Sequence, residues 1–225
     1  MTHLLDNIAW HSLSGPHARF ASACGAVRRY ATGYSAIVGF PEPQHPDFDA
    51  LSDICAIGEP VYCPEWTGVA PAGWRILKEM PAFRMTWQSG IPNYDALEDA
   101  VPLGPQHAAQ AVALARLTNP GPFGLRTIEL GDYFGWFEGG QLVAMAGERL
   151  HAGRYREVSG ICTHPDFRGR GLARRLTLKL VRRQTQRGET PFLHVMANNT
   201  AARALYCEMG FADYCETTMR VISRR

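Results

Sequence analysis

No hydrophobic run in this chain of 225 residues approaches the ~18–20 residues a helix needs to cross a bilayer, so no membrane span is expected. Met1 to Trp10 carries Asp6 and polar breaks and does not read as a secretory signal. The six cysteines (Cys24, Cys55, Cys63, Cys162, Cys207 and Cys215) contain no CxxC pair and no dense framework. A disulfide scaffold is thereby excluded, and a free-thiol protein of the cytoplasm is expected. HExxH is absent, and histidine and cysteine show no paired-ligand spacing, so no metal is predicted. Internal repeats and low-complexity tracts are lacking as well. What remains is an ordinary globular balance, 46% hydrophobic and 20% charged, which argues against disorder.

The formal net charge is +2, but its distribution is uneven. From Arg168 to Arg187 stand eight basic residues (Arg168, Arg170, Arg174, Arg175, Lys179, Arg182, Arg183, Arg187) and no acidic one, which leaves the rest of the chain at −6. A short positive segment of this kind suits an anionic guest. Nucleic acid is disfavoured as that guest, because neither interleaved aromatics nor zinc spacing accompanies the charge.

Turn-forming residues cluster at Pro41–Pro46 and at Ser89–Tyr94. The second cluster divides the chain into residues 1–90, an N-terminal α/β region, and residues 91–225. In the first part, Tyr34–Phe40, Trp74–Leu77 and Phe83–Trp87 read as strands and Pro46–Ile57 as a helix. Four of the five tryptophans fall there, and Trp66, Trp74, Phe83 and Trp87 would suit a wall over a substrate. In the second part, Gln106–Leu117 reads as a helix ended by Asn119-Pro120-Gly121. Tyr133–Glu138 and Gln141–Leu150 form a hairpin about Gly139-Gly140, and Glu157–Thr163 is a further strand. Gly169–Gln186 is a helix with Leu172, Leu176 and Leu180 on one stripe. Phe192–Met196 is a strand, Asn199–Met209 a helix closed by Gly210, and Phe211–Ile222 supplies one or two last strands. This order specifies an α/β (α+β) fold: a mixed sheet flanked by helices.

The chemistry is concentrated where a strand turns into a helix, Glu157 to Ala173. A helix opening with Arg168-Gly-Arg-Gly-Leu-Ala173 has free amides in its first turn and the positive end of its dipole there. Gly169 and Gly171 let a phosphate lie against those amides, and Arg168, Arg170 and Arg174 add charged donors. The pattern is neither GxxxxGK[ST] nor a full GxGxxG, since Arg174 stands at the last position. About thirty residues on, Asn199 and Tyr206 stand seven apart, close to two helical turns, with Ala202 keeping the face between them low.

Together these segments resemble the GCN5-related N-acetyltransferase (GNAT) superfamily. Arg168-x-x-Gly171-x-Ala173 is similar to its diphosphate signature, and Asn199…Leu205-Tyr206…Gly210-Phe211 to its second coenzyme motif. A looser likeness is to the glycine-N-acyltransferase-like branch, in which such a core sits behind an N-terminal half. The resemblance implies a splayed sheet and acetyl-coenzyme A as cosubstrate. It implies that Ile161, Cys162 and Thr163 meet the pantetheine arm through their backbone. Gly169, Arg170, Gly171, Leu172, Ala173 and Arg174 would hold the diphosphate beside Arg168, and Asn199 would contact the arm. Tyr206 matches the general acid that protonates the leaving thiolate. For the base, Glu157 is placed ahead of His194, and Glu148 is a further carboxylate near the strand pair. Cys162 and Cys207 are not expected to act as nucleophiles. Arg175, Lys179, Arg182 and Arg183 read as a solvated face or as neighbours of the 3′-phosphate. Residues 1–90 read as a degenerate copy of the fold or as a cover over the acceptor.

The function implied is acetyl transfer to a small-molecule or peptide amine by direct attack in a ternary complex. A non-catalytic coenzyme A-binding or scaffold protein of the same fold is the alternative. Acceptor identity, acyl length and the choice between monomer and homodimer stay open.

Overall fold

Amphipathic stripes and short apolar runs set the elements, and one sheet gathers most of them. The computed structural model describes residues 3–225. In chain order the helices are α1 (Ile8–Leu13), α2 (Phe48–Asp53), α3 (Ala108–Thr118), α4 (Leu172–Gln186) and α5 (Thr200–Met209). The strands are β1 (Ala21–Cys24), β2 (Val27–Tyr30), β3 (Val38–Gly39), β4 (Pro60–Pro64), β5 (Trp74–Trp87), β6 (Val101–Pro102), β7 (Tyr133–Glu138), β8 (Gln141–Ala152), β9 (Tyr155–Thr163), β10 (Thr190–Met196) and β11 (Phe211–Arg224). β1, β2 and β3 make a small sheet; the other eight strands form one sheet in the order β4-β11-β5-β10-β9-β8-β7-β6. Its pairings are antiparallel except that of β9 with β10.

That parallel pairing is short. Thr190, Pro191 and Phe192 stand opposite Tyr155, Arg156 and Glu157, and there it ends. β9 continues to Thr163 against β8, and β10 continues to Met196 against β5. The sheet therefore forks. A bulge bends β9 within the fork: Met145 faces Cys162 while Gly147 faces Ser159, so β9 carries one extra residue. Gly160 sits in that bulge at φ +63°, a conformation costly for a residue with a side chain. A Cβ there would also press on Tyr133 at 3.3 Å and on Phe123 at 3.4 Å.

Two layers cover the sheet. On one face, Leu172, Leu176 and Leu180 of α4 bury themselves with Val158, Leu193, Val195 and Met209. On the other, Leu5, Ile8 and Leu13 pack with Tyr30, Ile37, Leu150 and Phe192. α3 closes the far end with Ala111, Leu114 and Ala115 against Leu142, Met145 and Cys162.

From residue 106 onward the elements follow the order expected. α4 starts at Leu172 and not at Gly169, because Gly169 and Gly171 take left-handed conformations before it. Earlier in the chain the differences are larger. Two expected strands merge into β5, which runs through Pro81. Pro81 stands opposite Thr218 of β11, and pairing with β10 begins only at Ala82, so its missing N–H is needed on one side at most. The strand expected over Tyr34–Phe40 contracts to β3, and the helix over Pro46–Ile57 to α2, capped by Asp47 accepting from Ala50 N at 2.9 Å.

The division at residue 90 does not separate two cores. β4 and β5 precede it, β6 to β11 follow it, and all lie in one sheet. The turn-rich segment is instead a strap on α4. Lys179 Nζ bonds Asp95 at 2.5 Å, Arg175 Nε donates to Ala96 O at 2.8 Å, Arg182 donates to Pro92 O, and Leu97 and Ala100 enter the core. The basic face is less solvated than expected: Arg175 and Arg183 are exposed, but Arg182 is half-buried and Lys179 buried.

Replacing Asp95 by Asn leaves the Lys179 ammonium without its carboxylate. Because Asp95 is partly exposed, a loss of about 1–3 kcal/mol is expected in urea unfolding at pH 7, below the full cost for a buried pair. Burial alone would raise the Asp95 carboxyl, but the bonds from Lys179 and the Leu97 amide outweigh it and hold it below 3.8. Native protein and variant should therefore differ fully above that pH and converge as it falls further.

Candidate active site

The fork encloses a cavity of about 210 Å³. Val158, Ser159, Gly160 and Ile161 line it from β9, and His194, Val195 and Met196 from β10. Asn199 and Tyr206 close one side from α5. On the opposite side stand Ile37, Tyr62, Met80 and Met219, rimmed by residues 119–122, the turn that ends α3. From Val158 onward β9 offers the cavity an edge without a strand partner.

Tyr206 is buried, packs edge-on to Phe211 with ring centres 6.1 Å apart, and has its phenol pushed up to about 12 by that burial. Such a phenol is fully protonated near neutrality. Asn199 caps α5 by accepting from Ala202 N at 3.2 Å, which spends its Oδ1 and leaves the amide nitrogen. Asn199, Ala202 and Tyr206 thus share the helix face anticipated from their spacing.

At the base of the fork lies a buried chain of charges. Arg149 Nε and Nη2 donate to the two oxygens of Glu157 at 2.9 and 2.8 Å, and the Leu150 amide donates at 3.2 Å. His194 Nδ1 meets Glu157 Oε1 at 2.7 Å, and its Nε2 lies 3.0 Å from Arg84 Nε. These partners place the imidazole proton on Nδ1 and the lone pair toward Arg84. Arg84, fully buried, continues to Glu65 and to the Leu5 carbonyl, and Glu65 also accepts from Thr217 Oγ1 at 2.7 Å. Burial would raise the Glu157 carboxyl, but Arg149 and His194 overcome it and hold it well below the usual carboxylate range. Burial lowers His194, and Arg84 and Arg149 add to that against the pull of Glu157.

The carboxylate expected as the base sits apart from the cavity. Glu157 does not line it, and both oxygens are occupied by Arg149, His194 and the Leu150 amide. Glu148 lies elsewhere, held by Gln184 and Arg187. His194 reaches the cavity with both ring nitrogens engaged. Burial pushes the Cys162 thiol up to about 11, consistent with packing and not with a nucleophile.

β9 runs into the glycine turn. Gly169 and Gly171 have φ of +77° and +70°, and open space surrounds the position of a Cβ at both. No side chain caps α4, so its first-turn amides face outward and suit an anion. Leu172 points into the core and can act there only through its backbone, while Ala173 follows it in that first turn. Arg168 is exposed, its Nε 3.5 Å from Thr163 O. Arg174 lies 3.8 Å from Glu208. Arg170, expected at the anion, pairs with Glu138 at 2.7 Å over the Phe167 ring.

Several site residues escaped sequence reading. Arg149, Arg84 and Glu65 carry no local motif, although Gly160 within a strand pattern signals a bulge. None of the four residues of the anticipated aromatic wall lines the cavity: Trp66 and Trp74 pack around Phe48, Trp87 packs on Phe211, and Phe83 lies under Arg203.

A family model described as FR47-like protein matches residues 133–221. A solved structure described as an acetyltransferase from the GNAT family of Novosphingobium aromaticivorans is 33% identical over 100% of both chains, with a TM-score of 0.90. A GCN5-related N-acetyltransferase from Kribbella flavida matches in fold, with 15% identity, a TM-score of 0.61 and coverage of 97% of this chain and 96% of that one. A GCN5-related N-acetyltransferase-like protein from Streptococcus suis matches to the same degree, 15% and 0.61, over 97% and 92%. No curated protein matches.

Glu157→Gln removes the charge that Arg149 and His194 share. A loss of about 3–5 kcal/mol is expected, read as a lower denaturant midpoint and Tm. An unchanged midpoint would show that the fork is held by other means.

Proposed function

The chain belongs to the GNAT family of acetyltransferases, and from that premise we propose that it transfers an acetyl group from acetyl-coenzyme A to a primary amine, with both substrates at the fork together. The observation that carries this reading is a single cavity joining the unpaired edge of β9, Asn199 and the Tyr206 phenol. β9 then leads directly into an uncapped glycine turn.

Acetyl-coenzyme A supplies the thioester and its energy; the chain's residues hold, orient and protonate. The amides of Gly169, Gly171, Leu172 and Ala173 hold the diphosphate, with Arg168 and Arg174 as flanking cations. Arg170 stays with Glu138. The backbone of Ile161, Cys162 and Thr163 pairs with the amides of the arm as an added strand would. Asn199 offers its amide N–H to a carbonyl of that arm.

The amine nitrogen forms its bond to the thioester carbon, the carbon–sulfur bond breaks, and Tyr206 gives its proton to the departing sulfur; the proton the nitrogen loses as it becomes an amide returns to the Tyr206 oxygen. A phenol held at about 12 would be a poor donor to a thiolate whose thiol has the ordinary pKa of ~8.5. The surroundings that raise the phenol raise a thiol in the same cavity too, which brings donor and acceptor closer. Among the described residues no Asp or Glu lines the cavity. The amine is therefore taken up neutral, which poor hydration and the nearby arginines favour.

Tyr206→Phe should lower kcat by roughly 10²-fold or more while the Kd for acetyl-coenzyme A stays within about twofold. Weakened binding at unchanged kcat would assign Tyr206 to packing. Gly171→Glu places a charged side chain on the turn and should raise that Kd at least about 100-fold by calorimetric titration. Retained affinity in a folded variant would move the diphosphate elsewhere.

A further inference from the structure

We propose that the side of the cavity opposite Tyr206 binds an amine that also carries a carboxylate, an amino acid with an apolar side chain, and that Arg149 anchors that carboxylate. The inference rests on the acetyl-transfer reading above and names its acceptor class.

Arg149 is the one charged side chain lining the cavity among the described residues. Its side chain is 9% exposed and spends Nε and Nη2 on Glu157. Nη1 meets no acceptor among the described residues. It faces the turn after α3, where a Cβ added to Gly121 would stand 3.6 Å from it. A guanidinium nitrogen this poorly hydrated gains most from a partner, and a carboxylate oxygen is the partner that matches its charge and geometry.

The rest of the lining narrows the class. A polyamine or other pure cation finds no carboxylate there and two buried arginines, Arg149 and Arg84, close by. With its amine taken up neutral, an amino acid carries one negative charge, which those arginines attract. Ile37, Tyr62, Met80 and Met219 offer apolar surface to its side chain. The volume, about 210 Å³ and shared with the acyl carrier's arm, fits one small molecule.

The test compares L-leucine and L-phenylalanine with 3-methylbutylamine and phenethylamine, which lack only the carboxylate, and with spermidine, following thiol release from acetyl-coenzyme A. The amino acids should exceed their decarboxylated partners in kcat/KM at least about tenfold, the factor one charge-assisted hydrogen bond supplies. Arg149→Lys keeps a cation beside Glu157 but removes Nη1, and should bring the ratio of kcat/KM between amino acids and plain amines toward one. Equal use of both sets, or preference for spermidine, overturns the inference and leaves acetyl transfer standing. If no amine releases thiol, the transfer reading fails, and calorimetric titration of L-leucine into protein saturated with coenzyme A decides the anchor: saturable binding that 3-methylbutylamine lacks supports it, and no binding overturns it. The native-protein comparisons need no variant, so poor folding of Arg149→Lys would not spare the proposal.

Discussion

The bond between Glu157 and His194 is the constraint around which the molecule is arranged. It joins Glu157, the last β9 residue of the parallel ladder, to His194, two residues past the ladder's end on β10. Above that point the backbones no longer bond to each other, and a sheet that opens in its middle loses ladder hydrogen bonds on both inner edges. A buried, charge-assisted link at the apex confines the opening to the residues beyond it. The link is itself confined: Arg149 on β8 holds Glu157, and Arg84 on β5 holds His194. Four consecutive strands are thus tied across one face of the sheet by side chains whose charges balance in pairs.

The N-terminal segment follows from the same constraint. Buried arginines are costly unless every donor is answered, and Arg84 is answered partly by Glu65 and the Leu5 carbonyl, both from the first ninety residues. Those residues are therefore part of the fork's foundation as well as its cover. β5 makes the point most directly, since it pairs with β10 on one side and β11 on the other. A chain lacking that segment would lose Arg84 from the charge row and leave the sheet cut between β10 and β11.

The legible portions of the sequence were those in which a local rule and a chemical need coincide. Arg168 to Ala173 declares itself because an uncapped helix with glycines before it has few other uses, and Asn199 with Tyr206 because helical periodicity alone puts them on one face. The helices and strands after residue 106 were legible for a similar reason: each has its own stripe or turn signal. The charge row was not, because its members are joined across the sheet. Arg84 and His194 are 110 residues apart, and nothing near either predicts the other. Glu157 drew attention by its place on the strand, but its role turns on partners that only tertiary structure supplies. The gap left between the expected strands Trp74–Leu77 and Phe83–Trp87 contains Pro81, and one-sided pairing there keeps β5 continuous.

On the proposed reading, the fork also separates two electrostatic tasks that would interfere in one place. Tyr206 has to remain protonated in poor solvation, and its side of the cavity holds apolar residues and neutral amides. Arg149 and Arg84 lie toward the other face, where positive potential keeps an incoming amine neutral. Had Glu157 faced the cavity as a base, its negative charge would have stabilised the ammonium form and raised the cost of creating the nucleophile. Turned away and neutralised by Arg149, it instead sharpens the asymmetry: it fixes the imidazole proton on Nδ1 and leaves the cavity without a negative side chain. The carboxylate that sequence order nominated for proton removal thus serves the chemistry by staying out of it.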